Sequence, residues 1–143
     1  MLHIVDDETE IQSAIRWMVK SYKMECASYL SGEQFLEALD IPIHKGVAVE
    51  GKKTQPFKFD PNGDCVLLDV RMPGISGVTT FDILSSKKLI RRMPVIFMTG
   101  HGDISMAVDA IKRGAFDFFE KPFEDYLLFG RVQEALCQSR KET

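Results

Sequence analysis

The chain has 143 residues, which is the length of one domain and enough to bury a core without disulfides or a structural metal. Its 45% hydrophobic and 27% charged residues are typical of a folded globular protein and exclude a disordered chain. The net charge of −3 gives no electrostatic signature of nucleic-acid binding, and no apolar run reaches the roughly 20 residues of a membrane span.

The cysteines and the chain start indicate a cellular compartment. Cys26, Cys65 and Cys137 are odd in number and form no Cys-x-x-Cys motif, which argues against a disulfide framework or a zinc site. The first residues turn acidic at Asp6, too soon for a signal peptide. We therefore expect a cytoplasmic protein without membrane contact.

The first strand and helix follow from hydrophobic periodicity. Leu2–Val5 is a short apolar run that predicts a strand ending before two aspartates. Apolar residues then recur at the spacing of an amphipathic helix: Ile11, Ala14, Ile15 and Met18. Asp7 with Glu10 three residues later predicts a capping box at the start of this helix.

The second strand is predicted at Cys26–Leu30. Ser31 and Gln34 form another capping signal, and the helix after them carries Phe35, Leu36 and Leu39.

Residues 41–63 interrupt this alternation. At 23 residues, the stretch is much longer than the roughly 2–6 residues that normally join a helix to a strand in such units. It holds three of the six prolines and three of the ten glycines, so we interpret it as a surface insertion. Val47–Val49 and Phe57–Phe59 are predicted to pair as a small hairpin, and a loop without a role is an equal alternative.

Three further strand–helix pairs complete the chain. Their strands are predicted at Cys65–Leu68, Val95–Met98 and Ala115–Phe119. Asp103 is expected to cap the fourth helix and Gly114 to end it, while the fifth helix runs from about residue 123 to 138. Val78 and Phe81 are predicted to open the third helix. The predicted face of the fourth helix is Ile104, Ala107, Val108 and Ile111, and the fifth helix is predicted to have Leu128, Val132 and Ala135 inward.

Five alternating pairs predict an α/β fold with a doubly wound, five-stranded parallel sheet, in a single domain over residues 1–143. In open sheets of this class, sites form where strands reach their carboxyl ends. Asp6 and Asp7, Asp69, Thr99 and Lys121 come directly at those ends.

These residue types together indicate phosphoryl chemistry. Converging carboxylates repel one another, and a divalent cation such as Mg²⁺ removes the conflict while using only one or two of them. The remaining carboxylate is free to act as a nucleophile toward a phosphoryl group. Lys121 supplies a cation, and the hydroxyl of Thr99 can donate to a phosphoryl oxygen.

The chain resembles the receiver domain of bacterial two-component response regulators, a flavodoxin-like fold whose strand order is 2-1-3-4-5. The matching motifs are Asp6-Asp7, Leu67-Leu68-Asp69-Val70-Arg71-Met72-Pro73-Gly74, Thr99-Gly100 and Lys121-Pro122-Phe123. The separations of 30 residues from Asp69 to Thr99 and 22 from Thr99 to Lys121 also match the family. The resemblance covers nearly the whole chain outside residues 41–63, and is greatest to receivers of FixJ-type and nitrogen-control-type transcriptional regulators.

The resemblance implies a role for each matching position. Asp69 corresponds to the phosphoacceptor, Thr99 to the switch hydroxyl and Lys121 to the lysine that pairs with the phosphoryl group. Asp6 and Asp7 correspond to the acidic pair that serves Mg²⁺ (or Mn²⁺), with Asp7 the favoured direct ligand. Asp69 and the backbone carbonyl of Arg71 complete the metal site in the family.

Positions around the site carry further expectations. Phe118 corresponds to the residue that turns inward when the switch hydroxyl moves, with a permanent core role as the alternative. The Lys121-Pro122 bond is expected to be cis by the resemblance. Arg71 and His101 are expected to tune autodephosphorylation, and Met72, Gly100 and Pro122 flank the site.

The resemblance implies a phosphorylation-activated switch, not a turnover enzyme, although it assists its own phosphorylation and dephosphorylation. A histidine kinase would donate the phosphoryl group, and the face of the fourth helix, fifth strand and fifth helix would support a homodimer. Transcription would be controlled through a DNA-binding domain that is absent from this chain. The alternatives are a degenerate receiver that serves only as an interaction module, and the receiver part of a hybrid histidine kinase.

Two enzymes on similar folds are disfavoured. A flavodoxin needs a phosphate-binding loop where this chain has Asp6-Asp7-Glu8, and a dehalogenase-type phosphatase needs Asp-x-Asp where Asp69 is followed by Val70-Arg71.

Overall fold

The computed structural model describes residues 1–52, 57–100 and 102–142. The strands are β1 (Leu2–Val5), β2 (Cys26–Tyr29), β3 (Ile43–His44), β4 (Val47–Ala48), β5 (Cys65–Asp69), β6 (Val95–Thr99) and β7 (Asp117–Glu120). The helices are α1 (Thr9–Ser21), α2 (Gly32–Ala38), α3 (Gly77–Ser86), α4 (Ile104–Lys112) and α5 (Asp125–Lys141).

Five of the strands form one parallel sheet in the order β2-β1-β5-β6-β7. This order is the predicted 2-1-3-4-5 once the short pair β3–β4 is set aside. The α/β fold with a doubly wound, five-stranded parallel sheet is therefore confirmed.

The sheet is covered on both faces, which explains why its central strands are apolar throughout. On one face, Leu2 and Ile4 of β1 share a cluster with α1 and α5. On the other face, Val5 shares a cluster with residues of α2, α3 and α4. Successive residues of β1 alternate between the two clusters because strand side chains point to opposite faces.

The capping predictions have mixed outcomes. Ser31 caps α2 by accepting the backbone N–H of Gln34 at 3.1 Å. The capping box of Asp7 and Glu10 is wrong, because α1 starts one residue later with Glu8 as its N-cap and no side-chain cap. The backbone N–H of Glu8 instead donates to Asp6 at 2.8 Å, which is the local turn that an aspartate favours.

The inward faces of α1 and α4 differ from the predicted ones. Ala14 of α1 is exposed. In α4 the buried residues are Ala107 and Ala110, whereas Ile104 and Val108 are 41% and 40% exposed. Small side chains let α4 approach the sheet closely, so the helix is rotated from the orientation that hydropathy alone predicts.

Within residues 41–63, the predicted hairpin partner is wrong. β4 pairs with β3 in an antiparallel ladder that matches Ile43 with Ala48 and His44 with Val47. Lys45 and Gly46 between them have φ values of 52° and 77°, as a two-residue type I′ turn requires. That residues 41–63 are an insertion relative to related domains stays a prediction.

Phe57 and Phe59 pack against the core instead of pairing with β4. Just beyond them, a carboxylate oxygen of the buried Asp64 forms a hydrogen bond with Nε2 of the buried His3 at 2.9 Å. The second half of this stretch is thus anchored to β1. Within the described part of the chain, no helix is both long and apolar enough to cross a membrane.

Candidate functional site

The predicted site residues meet at the carboxyl edge of the sheet. The register pairs Val5 with Leu68 and Thr99 with Glu120, so the residues that end or follow β1, β5, β6 and β7 are brought together. Asp6 lies after β1, Asp69 and Thr99 end their strands, and Lys121 follows β7.

Lys121 is the cation at the centre of this edge. Its Nζ lies 3.0 Å from Asp6 Oδ2, 3.5 Å from Glu8 Oε1 and 3.6 Å from Asp69 Oδ1. Burial alone would lower the pKa of Lys121, but the carboxylate of Asp6, followed by those of Asp69 and Glu8, raises it above its ordinary value. Lys121 is therefore charged at neutral pH.

Asp6 is fully buried and held at several points. Its carboxylate accepts from the N–H of Glu8 and from Lys121, and its backbone carbonyl accepts from Nε2 of Gln12 at 2.8 Å. The same Gln12 nitrogen donates to the carbonyl of Tyr29 at 2.6 Å. Gln12 thereby ties α1 to the ends of β1 and β2, a role that its sequence position did not indicate.

Asp69 is 5% exposed, and its environment disfavours its charge. Burial, followed by the negative charge of Asp6, raises its pKa to about 7. The charge of Lys121 and a hydrogen bond from the backbone of Arg71 lower the pKa of Asp69, while the charge of Asp7 raises it further. An additional cation near Asp69 would stabilise the charged form of its carboxyl group.

Three carboxylates of the site have the donor set of a divalent metal centre. One oxygen each from Asp6, Glu8 and Asp69 lies within 4.8 Å of the others. All three offer hard oxygen ligands, and burial together with the negative charge of Asp6 raises the pKa of Asp69 even though Lys121 lies nearby. The residues present therefore fit Mg²⁺.

Glu8 was not predicted as part of this cluster. The only signal was its position two residues after Asp6, on the turn that Asp6 organises. Asp7, in contrast, is exposed and lies outside the three-carboxylate cluster. Its role as direct ligand stays a prediction, as does that of the Arg71 carbonyl.

Gly77 fixes the position of β5 against α3. Its N–H donates to the carbonyl of Val70 at 2.8 Å. A Cβ on Gly77 would lie 1.9 Å from the carbonyl oxygen of Asp69, so no side chain fits there. The first turn of α3 is consequently in direct backbone contact with the end of β5.

Thr99 and Phe118 lie on the neighbouring strands β6 and β7, two register positions apart. Thr99 is fully buried, and its Oγ1 donates a long hydrogen bond of 3.5 Å to the carbonyl of Phe119. Phe118 is half-buried and packs against the cluster that contains Phe97, its partner in the register. Thr99 is thus weakly held, and Phe118 is neither fully in the core nor fully in solvent.

The flanking positions surround the same edge. Met72 is buried, Pro122 is exposed, and the Lys121-Pro122 bond is cis. Arg71 forms an ion pair with Asp103, the N-cap residue of α4. His101 lies outside the described residues, and its expected role stays a prediction.

A family model, the response regulator receiver domain, matches residues 2–133. The chain therefore belongs to the family of response regulator receiver domains.

Curated relatives of the chain are regulators of greater length. It is 33% identical over 141 residues to the transcriptional regulatory protein FixJ of Azorhizobium caulinodans, covering 99% of this chain and 57% of the relative. It is 35% identical over 136 residues to the response regulator protein TodT of Pseudomonas putida, covering 95% and 51%. The chain thus spans about half the length of the curated relatives that it matches.

Solved structures of single domains match over nearly their full length. FixJ-N shares 32% identity at a TM-score of 0.71, covering 94% of this chain and 91% of that one. The receiver domain of NtrX from Brucella abortus shares 28% identity at a TM-score of 0.72, covering 95% and 98%. These matches confirm the predicted likeness to FixJ-type and nitrogen-control-type receivers.

Proposed function

We propose that this receiver domain is a phosphorylation-controlled switch that accepts a phosphoryl group from a histidine kinase on Asp69. The observation that carries the proposal is the position of Lys121, whose Nζ lies 3.6 Å from Asp69 while it also contacts Asp6 and Glu8. A nucleophilic carboxylate, a buried cation and a cluster of hard oxygen ligands are the parts that phosphoryl transfer requires.

The transfer step is a displacement at phosphorus. An oxygen of the Asp69 carboxylate attacks, the new O–P bond forms, and the P–N bond to the kinase histidine breaks. The bonding electrons go to the imidazole nitrogen, which then takes a proton from solvent. Lys121 pairs with a phosphoryl oxygen, and the Thr99 hydroxyl donates to another.

Asp6, Glu8 and Asp69 would hold Mg²⁺, with Asp7 and the Arg71 carbonyl as the further predicted ligands. When bound, the ion neutralises charge on the phosphoryl oxygens. The domain does not turn over a substrate in this proposal. It takes one phosphoryl group and later loses it to water.

The proposed conformational output depends on Thr99, which is weakly held, and on the half-buried Phe118. When Thr99 moves toward the phosphoryl group, it vacates space beside Phe118, and two packings of this region become available. The face of α4, β7 and α5 would carry the change to a second copy of the domain. Because the matched relatives include transcriptional regulators about twice as long, the proposed final output is transcription through a DNA-binding domain.

The test is incubation with Mg²⁺ and a small phosphodonor such as phosphoramidate, followed by intact-mass spectrometry. We expect the mass gain of one phosphoryl group, which Asp69→Asn abolishes and which chelation of Mg²⁺ prevents. Asp109→Asn is the matched control, because Asp109 is an exposed aspartate of α4 and should accept nothing. A parent protein that gains no mass would contradict the switch and favour an interaction module.

A further inference from the structure

Arg71 and Asp103 connect the loop after the phosphoacceptor strand to the start of α4. Nε of Arg71 donates to Oδ1 of Asp103 at 2.7 Å. The Asp103 side chain is 5% exposed, whereas that of Arg71 is 74% exposed. A buried carboxylate of α4 is therefore held by a guanidinium that reaches in from solvent, two residues from Asp69.

The carboxylate of Asp103 is bound in this ion pair and not in a helix cap, and its backbone, with φ −105° and ψ 10°, is outside the extended conformation of a typical capping residue. Asp103 occupies the N-cap position of α4, where aspartate normally accepts a backbone N–H of the first turn, yet its side chain makes no cap hydrogen bond. The N–H groups of Ser105 and Met106 lie in that first turn, which has no intrahelical acceptor. Among the described residues, Asp103 forms its ion pair with Arg71.

The same carboxylate lies beside the switch residue. Oδ2 of Asp103 is 3.9 Å from the position that a Cβ on Gly100 would take, directly after Thr99. A phosphoryl group on Asp69 would add up to about two negative charges at this edge of the sheet. That charge repels Asp103 and attracts Arg71, whose planar guanidinium matches phosphate oxygens in geometry.

We propose that Asp103 is a positioning residue that holds Arg71 in the unphosphorylated domain and yields it to the phosphoryl group. The released Asp103 then takes the extended backbone conformation of a capping residue, and its carboxylate caps the first turn of α4. The proposal rests on the proposed phosphorylation of Asp69, and it adds a path from that residue to α4. The proposed change in capping occurs in the N-terminal half of α4, where Ile104 and Met106 are exposed.

The test measures hydrogen exchange of the Ser105 and Met106 amides by NMR, with and without phosphoramidate and Mg²⁺. In the parent protein, phosphorylation should slow both amides about fivefold, the size of one cap interaction. Arg71→Ala should show the slow exchange already without phosphorylation, because Asp103 is released. Asp103→Asn should behave in the same way, since an asparagine caps a helix but forms no ion pair.

Asp103→Ala is the opposing variant. It has no capping group, so its amides should exchange fast in both states. The control is Asp109→Asn, which removes the exposed pair of Asp109 with Arg113 on the same helix and should leave the parent response intact. Arg71 is largely exposed and Asn is isosteric with Asp, so two of the informative variants keep the packing of the fold.

Intact mass, recorded on the same samples, separates the two proposals. If the mass gain occurs but Asp103→Ala still shows the fivefold slowing, or Arg71→Ala still needs phosphorylation for it, the role of Asp103 is wrong and the switch stands. If the parent protein gains no mass, both proposals fail.

Discussion

Nζ of Lys121 lies 3.0 Å from Oδ2 of Asp6, and this ion pair spans the carboxyl edge of the sheet from β1 to β7. Asp6 is fully buried and Lys121 is 15% exposed, so the pair lies in a medium of low polarity. Lys121 is nearer to Asp6 than to Asp69 in this state. The cation that should serve the phosphoryl group is thus held by a neighbouring carboxylate.

Replacing Lys121 by methionine should destabilise the metal-free protein. Loss of the cation leaves the buried Asp6 without its ion-pair partner and raises the pKa of Asp69 further, which together cost about 3 kcal/mol. Urea unfolding at pH 7 measures the loss, and millimolar Mg²⁺ should recover most of it. Lys112→Met, at an exposed position of α4, should change the free energy of unfolding by less than about 0.5 kcal/mol.

The stability of the metal-free protein should fall as the pH rises toward 7. The pKa of Asp69 is raised from 3.8 to about 7 by folding, so the folded state binds the proton more tightly than the unfolded state does. Its contribution is complete below pH 4 and is lost as the pH passes 7. Asp69→Asn, which stays neutral, should therefore be about 4 kcal/mol more stable than the parent at pH 8 and nearly equal to it at pH 4.

Urea unfolding at both pH values tests this prediction. Asp109→Asn serves as the control, since Asp109 is 65% exposed. A gain from Asp69→Asn that is equal at pH 4 and pH 8 would show that its cause is not the ionisation of this carboxyl group.

Thr99→Val should separate phosphorylation from the conformational response. Valine keeps the shape of threonine and loses the hydroxyl, whose present hydrogen bond to Phe119 is a long one of 3.5 Å. We expect the mass gain at Asp69 to persist at a lower rate. The NMR signals of the Phe118 ring, which should shift on phosphorylation of the parent, should stay in place in Thr99→Val.

Ser139 bridges three segments and should be costly to replace. Its buried Oγ accepts the backbone N–H of Asp64 at 2.9 Å and donates to the carbonyl of Arg92. Ser139→Ala leaves both groups without this partner and should cost about 2–3 kcal/mol in thermal or urea unfolding. Ser86→Ala removes an exposed hydroxyl that bonds the carbonyl of Ile83, and should cost well under 1 kcal/mol.

Much of the fold was predictable because hydrophobic runs determine parallel strands directly. Leu2–Val5 is the strand that was predicted, and the predictions for the strands ending near Asp69 and Thr99 differ from the structure by one residue. Since parallel strands align their carboxyl ends, the meeting of Asp6, Asp69, Thr99 and Lys121 followed from the strands. Glu8 belongs to the carboxylate cluster because of a local turn, and hydrophobic periodicity does not predict such a turn.

Two of the errors share one physical cause, which is an interaction with a residue that is distant along the chain. Asp103 was expected to cap α4, but Arg71, 32 residues away, takes its carboxylate. Phe59 was expected in a hairpin, but it packs on the core with the guanidinium of Arg92 3.8 Å from its ring centre. Spacing along the sequence indicates which nearby residues can interact, but it does not identify partners that are distant along the chain.

Under the proposed phosphorylation of Asp69, its backbone contact with Gly77 should give the domain a preferred direction for transmitting the signal. With a backbone oxygen where a Cβ would stand, α3 and the end of β5 behave as one rigid body. On the other side of Asp69, backbone pairing joins β5 to β6 and β6 to β7, and the side-chain links toward β7 and α4 include the 3.5 Å hydrogen bond of Thr99 and the ion pair of Arg71 with Asp103. If Asp69 is phosphorylated as proposed, the resulting rearrangement should therefore extend toward α4, while α3, in backbone contact with the end of β5, should serve as its anchor.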